Sequence, residues 1–385
     1  AVDVLPNDLF LSFLPLSHTF ERTSGYYVPM MCGATVAYAR SIQQLQEDLL
    51  TIRPTVLVSV PRIYERVYAG LRTKLSEGPT LARKLFYLAV SVGYSRFEQQ
   101  QGRDTWHFSH LLWPILEKLI ARKLMDKLGG RLRIAMSGGA ALSPEISRIF
   151  IGLGLPILQG YGMTESSPVV CVNRLDDNLP ASIGRTIPGV EVKLGENNAL
   201  LIRGPNVMLG YWNNPEATRA VISEDGWLNS GDIAKIDEQG RVTITGRLKD
   251  IIVTSTGEKV PPADMEAAIL RDPIFEQVMV VGEGRSYLGA LVVLSQRGLQ
   301  TIAELCHLPL DPYQLTNQEQ VEEILLARIA QQIHEFPGYA KIFKVALIPE
   351  PWSVANEMLT PTLKLKRSKI AQRYNAEIEN LYTKR

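Results

Sequence analysis

Residues Gln159-Gly160-Tyr161-Gly162-Met163-Thr164-Glu165-Ser166-Ser167 put an aromatic ring, a hydroxyl and a carboxylate on one short stretch. The apolar run before them, Leu155-Pro156-Ile157-Leu158, is too short for a helix and suits the end of a buried strand. Gly160 and Gly162 predict a tight turn that holds the Tyr161 ring clear of the backbone. A threonine hydroxyl suits a phosphate oxygen, and a carboxylate is the hard ligand that Mg²⁺ takes beside a nucleotide. At the end of a strand in an open α/β sheet, this set equips an ATP–Mg²⁺ site. A polar surface turn is the plain alternative, because short motifs match by chance.

The elements around this stretch alternate. Phe10 to His18 reads as an apolar strand ending in a polar turn, and Thr35 to Tyr38, Thr55 to Val60 and Arg131 to Met136 read as strands. Helices are predicted between them, one capped by Thr19 and ended by Gly33, others from Ile42 to Leu50 and from Pro61 onward. Such β-α alternation predicts an α/β fold with a mostly parallel, two-sided sheet. Residues 71–128 read as helix-rich with a break near Gln99 to Asp104. From about residue 170 to 247 the strands shorten, with Gly210-Tyr211-Trp212 read among them, which predicts a small β-rich subdomain. After it, Val278 to Val281, Ala290 to Leu294 and Phe343 to Ile348 read as strands. Val321, Leu325 and Ile329 recur at helical spacing.

Further chemistry-bearing groups lie at the ends of these elements. Ser137-Gly138-Gly139-Ala140 follows a strand and precedes a helix begun by Ser143 and Pro144. Small residues there let a ligand approach backbone amides that favour anions. Asp232, after Gly231, has the two acceptor oxygens that a ribose diol needs. Leu363-Lys364-Leu365-Lys366-Arg367 gathers three cations, a pattern that is usually a solvated patch.

Taken together, the motifs resemble the adenylate-forming superfamily of acyl-CoA synthetases, adenylation domains and luciferases, and the likeness runs in order from Leu14 to Arg367. The resemblance implies a partial large domain over residues 1–248 and a mobile α+β C-terminal domain over 249–385. It implies that Gln159, Gly160, Tyr161, Gly162 and Thr164 bind ATP or AMP with Gly138, Gly139 and Ala140, and that Glu165 holds Mg²⁺. Asp232 and Arg247 are implied as the ribose contacts, and Lys249 as the hinge. His18, in Leu14-Pro15-Leu16-Ser17-His18-Thr19-Phe20-Glu21-Arg22, would line the acyl pocket, and Gly257 would face the thiol tunnel. Aligning Thr362 with the family's threonine makes Lys366 the catalytic lysine, with Lys364 the runner-up because the usual Ser-Gly before that lysine is Lys-Leu here.

Pro61-Arg62-Ile63-Tyr64-Glu65-Arg66-Val67-Tyr68 and the helical insertions resemble the long-chain fatty acid–CoA ligases. That points to ATP-dependent activation of a long-chain fatty acid and transfer to coenzyme A. An acyl-carrier-protein ligase is the near rival, because Gly246-Arg247-Leu248-Lys249-Asp250 departs from the Asp-Arg-Lys-Lys of many CoA ligases and Lys235 replaces a common tryptophan. A non-catalytic nucleotide-binding scaffold is the reading from another class. The family's Ser/Thr/Gly-rich phosphate loop has no counterpart in the chain, so residues 1–385 alone are expected to be nearly inactive.

Composition narrows the classes. A net charge of +1 over 385 residues argues against a general nucleic-acid binder. Cys32, Cys171 and Cys306 show no CxxC spacing, which predicts reduced thiols in the cytoplasm. No apolar run approaches about 18 residues. Leu116, Leu119, Ile120 and Leu124 with Lys118, Arg122 and Lys127 form a basic amphipathic stretch that can rest on a membrane surface, although packing on its own domain is favoured. Nothing in the pattern specifies an oligomer.

Overall fold

A computed structural model describes residues 3–316, 318–360 and 363–383. The chain divides into two compact units. One comprises Ala1–Ser230 with Ala234–Ile244, the other Gly231–Ile233 with Thr245–Arg385.

The first unit is built on a seven-stranded sheet in the order β2-β1-β3-β4-β5-β6-β7. Its strands are β1 (Leu9–Ser12), β2 (Thr35–Tyr38), β3 (Val56–Ser59), β4 (Ile134–Ser137), β5 (Ile157–Gly162), β6 (Val169–Val172) and β7 (Arg185–Thr186). β1 to β5 pair in parallel, and β6 and β7 join antiparallel. The strand sequences are apolar on both faces because both faces are covered. Leu11, Leu57, Ala135 and Ile157 pack among buried side chains of the helices Leu45–Ile52, Pro61–Glu77, Thr80–Gln100 and Pro144–Gly152. Phe10, Val56 and Val58 pack on the other face with Phe20 and Val36. A second sheet, β11-β10-β9-β8, comprises β8 (Glu191–Leu194), β9 (Ala199–Arg203), β10 (Leu228–Ile236) and β11 (Val242–Arg247).

The second unit holds a short hairpin, β12 (Ile252–Val253) and β13 (Lys259–Val260), and a three-stranded sheet. That sheet is β14 (Phe275–Val281), β15 (Leu288–Leu294) and β16 (Ile342–Leu347). β15 is buried along its whole length. One face meets the helices Pro262–Ile269, Gln296–Cys306 and Glu319–Gln332, and the other meets Trp352, Ile370, Tyr374 and Leu381. Val321, Leu325 and Ile329 are the buried side chains of their helix, as their four-residue spacing requires.

Some local expectations are corrected. Gly160-Tyr161-Gly162 is strand, with Tyr161 opposite Cys171 on β6, and the turn comes later at Thr164–Ser166. Thr19 caps nothing, its Oγ1 being buried without a hydrogen-bond partner among the described residues. The segment after it winds as a π-helix over Glu21–Tyr27 before one turn of α-helix. Ser143 occupies an N-cap position without a side-chain cap bond. Gly210-Tyr211-Trp212 is a turn ahead of the helix Pro215–Val221, not a strand.

Candidate functional site

Four neighbouring parallel strands of the first unit end in polar residues. Ser12, Ser59, Ser137 and Gln159 close β1, β3 and β4 and interrupt β5, and all four are buried. Ser59 lies opposite Ser137, and Ser137 opposite Gln159. Polar groups gathered at the carboxyl ends of parallel strands mark the usual ligand crevice of an open α/β sheet. Gly138 continues from Ser137 with its N–H on Ser59 O, at 3.1 Å, and Gly139 turns the chain in the left-handed region at φ +80°. A side chain at 138 would strike the Phe20 ring 2.8 Å away. Gln159 is committed to the scaffold. Its Oε1 accepts from Leu142 N at 3.1 Å and its Nε2 donates to Pro180 O. Gly162 answers to β6, since a Cβ there would meet Pro168 O at 1.7 Å.

The next loop presents Thr164 to solvent and Glu165 half-buried. Ser166 staples it from below: its fully buried Oγ donates to Pro168 O at 2.8 Å and accepts from Met163 N at 3.1 Å. Met208 N bonds Glu165 O at 2.8 Å, and the Tyr211 hydroxyl donates to Glu165 Oε1 at 2.9 Å. Tyr211 is the residue that sequence reasoning missed. The Asn214-Pro215 helix start behind it was readable, but a contact spanning 46 positions was not. Donation to one carboxylate oxygen orients Glu165 and leaves the other available, which suits a hard cation. His18 sits just before the π-helix, with its Nδ1 accepting from Phe20 N at 3.3 Å.

In the second unit, the Arg247 Nε donates to Asp232 Oδ1 at 2.8 Å, and the Asp232 side chain is nearly inaccessible. Lys364 joins this pair electrostatically. Its side chain reaches solvent, yet burial of its charged end and the Arg247 guanidinium hold its pKa below the usual lysine range, while Asp232 pulls the other way. Lys366 sits elsewhere. It occupies the N-cap position of the helix Arg367–Arg373 without a side-chain cap bond, and its charge helps to keep the Glu357 carboxyl acidic, behind the larger effect of Lys369. Arg367 is structural, its guanidinium bonding both oxygens of the buried Glu266, at 2.7 and 3.0 Å, and Val280 O. Leu363, directly before Lys364, is in the left-handed region at φ +62°, where glycine is at ease and leucine is strained. Thr362, used above to align the loop, lies outside the described residues.

Two family models match this chain: AMP-binding enzyme over residues 1–212, and AMP-binding enzyme C-terminal domain over residues 249–385. The chain belongs to the AMP-binding enzyme family. It is 33% identical, over 97% of its length and 66% of the relative's, to a putative fatty-acid–CoA ligase, fadD11, of Mycobacterium tuberculosis. It is 31% identical, over 98% of its length and 56% of the relative's, to the long-chain-fatty-acid–[acyl-carrier-protein] ligase AEE15, chloroplastic, of Arabidopsis thaliana. Among solved structures it resembles the A domain of a carboxylic acid reductase from Segniliparus rugosus, in complex with AMP and a co-purified carboxylic acid. That likeness has a TM-score of 0.73 at 25% identity and covers 97% of this chain and 54% of the other. The chain thus spans little more than half the length of several proteins it matches.

For an AMP-binding family member, the remaining expected residues fall as follows. Lys249 is exposed in the turn after β11, where Asp250 N and Ile251 N both bond Arg247 O at 3.2 Å. Gly257 turns the β12–β13 hairpin at φ +84°, with open space where a Cβ would point. Asp104, His107 and His110 form a hydrogen-bonded cluster through Ser95 and Asp104. No cluster of three or more His, Cys, Asp or Glu side chains that could hold a metal ion is found among the described residues. No helix among them is long and apolar enough to cross a membrane.

Proposed function

We propose that the protein activates a long-chain fatty acid with ATP and passes the acyl group to a thiol, with coenzyme A the leading acceptor and an acyl carrier protein the alternative. A carboxylate oxygen attacks the α-phosphorus, the bond to the β-phosphate bridging oxygen breaks, and pyrophosphate leaves. A thiolate then attacks the acyl carbon and AMP leaves with the bonding pair. Two anions must meet in the first step while charge spreads over phosphate oxygens, so placed cations matter more than acid–base groups.

The observation that carries this reading is the grouping of Lys364 with Asp232 and Arg247. Asp232 and Arg247 are the ribose contacts, and a lysine in their field is where charge on a nucleotide would be met. This favours Lys364 over Lys366 as the catalytic cation. Leu363, directly before Lys364, holds the backbone there in the left-handed region. Tyr161 and the Gly138–Ala140 turn would hold the adenosine and acyl ends, and His18 the acyl pocket. Thr164 would meet a phosphate oxygen and Glu165 would hold Mg²⁺, which supplies charge neutralisation at the phosphates. A swing of residues 249–385 about Lys249 would exchange Lys364 for the open Gly257 turn between the half-reactions.

Free thiols at Cys32, Cys171 and Cys306 fit a reducing, cytoplasmic setting. Peripheral contact with an anionic membrane is supported by the exposed Trp106, Phe108, Leu111 and Ile115 ahead of Lys118 and Arg122. Leu116 and Leu124 themselves pack inward. ATP–pyrophosphate exchange across a fatty-acid panel tests the function, with coenzyme A and carrier protein compared as acceptors. Fatty-acid-dependent exchange is expected from the full protein, whereas ATP binding without exchange would favour a scaffold.

A further inference from the structure

Glu21 has no assigned role, and its surroundings are unusual. It is fully buried, and neither carboxyl oxygen has hydrogen-bond geometry with any described residue. It opens the π-helix Glu21–Tyr27, whose wide turns end with Val28 N bonding Thr23 O. π-turns are rare and cluster at functional sites. Gly25 lies on the same face one turn on, and a Cβ there would be 2.4 Å from Glu21 Oε1. A glycine inside a helix costs about 0.5–1 kcal/mol relative to alanine, so its presence calls for a reason. The Glu21 carboxyl fills the space it leaves.

The neighbouring residue is Phe20, whose ring meets Gly138. That contact is flanked by two further buried hydroxyls, Thr19 Oγ1 and Ser137 Oγ, neither with a partner among the described residues. Unsatisfied buried polar atoms on both sides of an aromatic–glycine contact are what a wall with a polar ligand beside it leaves behind. Burial raises the Glu21 pKa to about 7, the Ser12 hydroxyl of β1 opposes this, and no charged side chain is among the causes. The adjacent Arg22 is turned to Leu16 O.

We propose that Glu21 is a positioning residue: as the uncharged acid seated against Gly25, it fixes the π-turn, and thereby how Phe20 closes over Gly138 and which acyl groups fit there. This rests on the reading that the Gly138 turn receives the acyl-adenylate. Ionised Glu21 has no cation to meet and leaves its seat, so the wall loosens as pH rises through neutrality.

The test is calorimetric binding of octanoyl-, dodecanoyl- and palmitoyl-adenosine sulfamates to the full protein, which needs no turnover. Gly25→Ala, which evicts the carboxyl from its seat and leaves Glu21 itself unchanged, is expected to change the octanoyl-to-palmitoyl affinity ratio by about tenfold. Glu21→Gln is expected to keep the wild-type ratio and to abolish its change with pH, which a merely structural role would not do. An unchanged ratio in a folded Gly25→Ala protein overturns the proposal alone. Should that variant fail to fold, Glu21→Ala read in the same panel carries the same two outcomes. Failure of the wild type to bind any analogue overturns both the reading of the Gly138 turn and the proposal.

Discussion

Two charged loops, one in each unit, are built differently. The Glu165 loop is tied at its acting group: Tyr211 holds the carboxylate, Met208 holds the backbone and Ser166 staples the turn. Among the described residues the lysine loop is tied through its backbone, by the Thr360 N to Lys364 O bond at 2.8 Å and the Leu359–Leu365 bridge, and at its base by the Arg367–Glu266 pair. Lys364 and Lys366 form no salt bridge among the described residues. This contrast suits the proposed roles: a metal ligand that serves one fixed ion profits from being held in advance, whereas a cation needed in one half-reaction must be free to leave.

The largest way to break this contrast is at the base of the lysine loop. Arg367→Ala strands the buried Glu266 carboxylate and is expected to destabilise the second unit by about 3–5 kcal/mol, read by urea unfolding. Glu21, buried in the first unit, has no such cation. Its pKa is raised from 4.5 to about 7, so its stabilising contribution is complete below about pH 4.5 and is lost as pH climbs to about 7. The change is on the order of 3 kcal/mol, and unfolding at a series of pH values should show it flattened in Glu21→Gln.

The α/β class could be read because apolar strands and amphipathic helices carry their own periods, as with Val321, Leu325 and Ile329. Gly160 and Gly162 were misread as a turn because glycine signals either a turn or a close approach, and the approaching Pro168 backbone is a matter of sheet pairing. Tyr211 was hidden by a hydrogen bond spanning 46 positions. Alignment on Thr362 ranks Lys366 above Lys364, but the field each meets comes from distant residues, Asp232 and Arg247 for Lys364 and Glu357 for Lys366.

Smaller effects sharpen the same contrast. Tyr211→Phe frees one Glu165 oxygen, which should weaken Mg²⁺ dependence by about 1 kcal/mol, several-fold in the half-saturating concentration. Leu363→Gly relieves the left-handed backbone and should stabilise the second unit by about 1 kcal/mol, seen as a raised unfolding midpoint. The same change should slow adenylation slightly if a stiff residue helps to aim Lys364.

Separate measurement of the two half-reactions in Lys364→Ala and Lys366→Ala decides the assignment. Lys364→Ala should lose about 10²- to 10³-fold in acyl-adenylate formation while forming thioester from supplied acyl-adenylate near the wild-type rate, with Lys366→Ala close to wild type in both. Loss of adenylation in Lys366→Ala with Lys364→Ala unimpaired would contradict it.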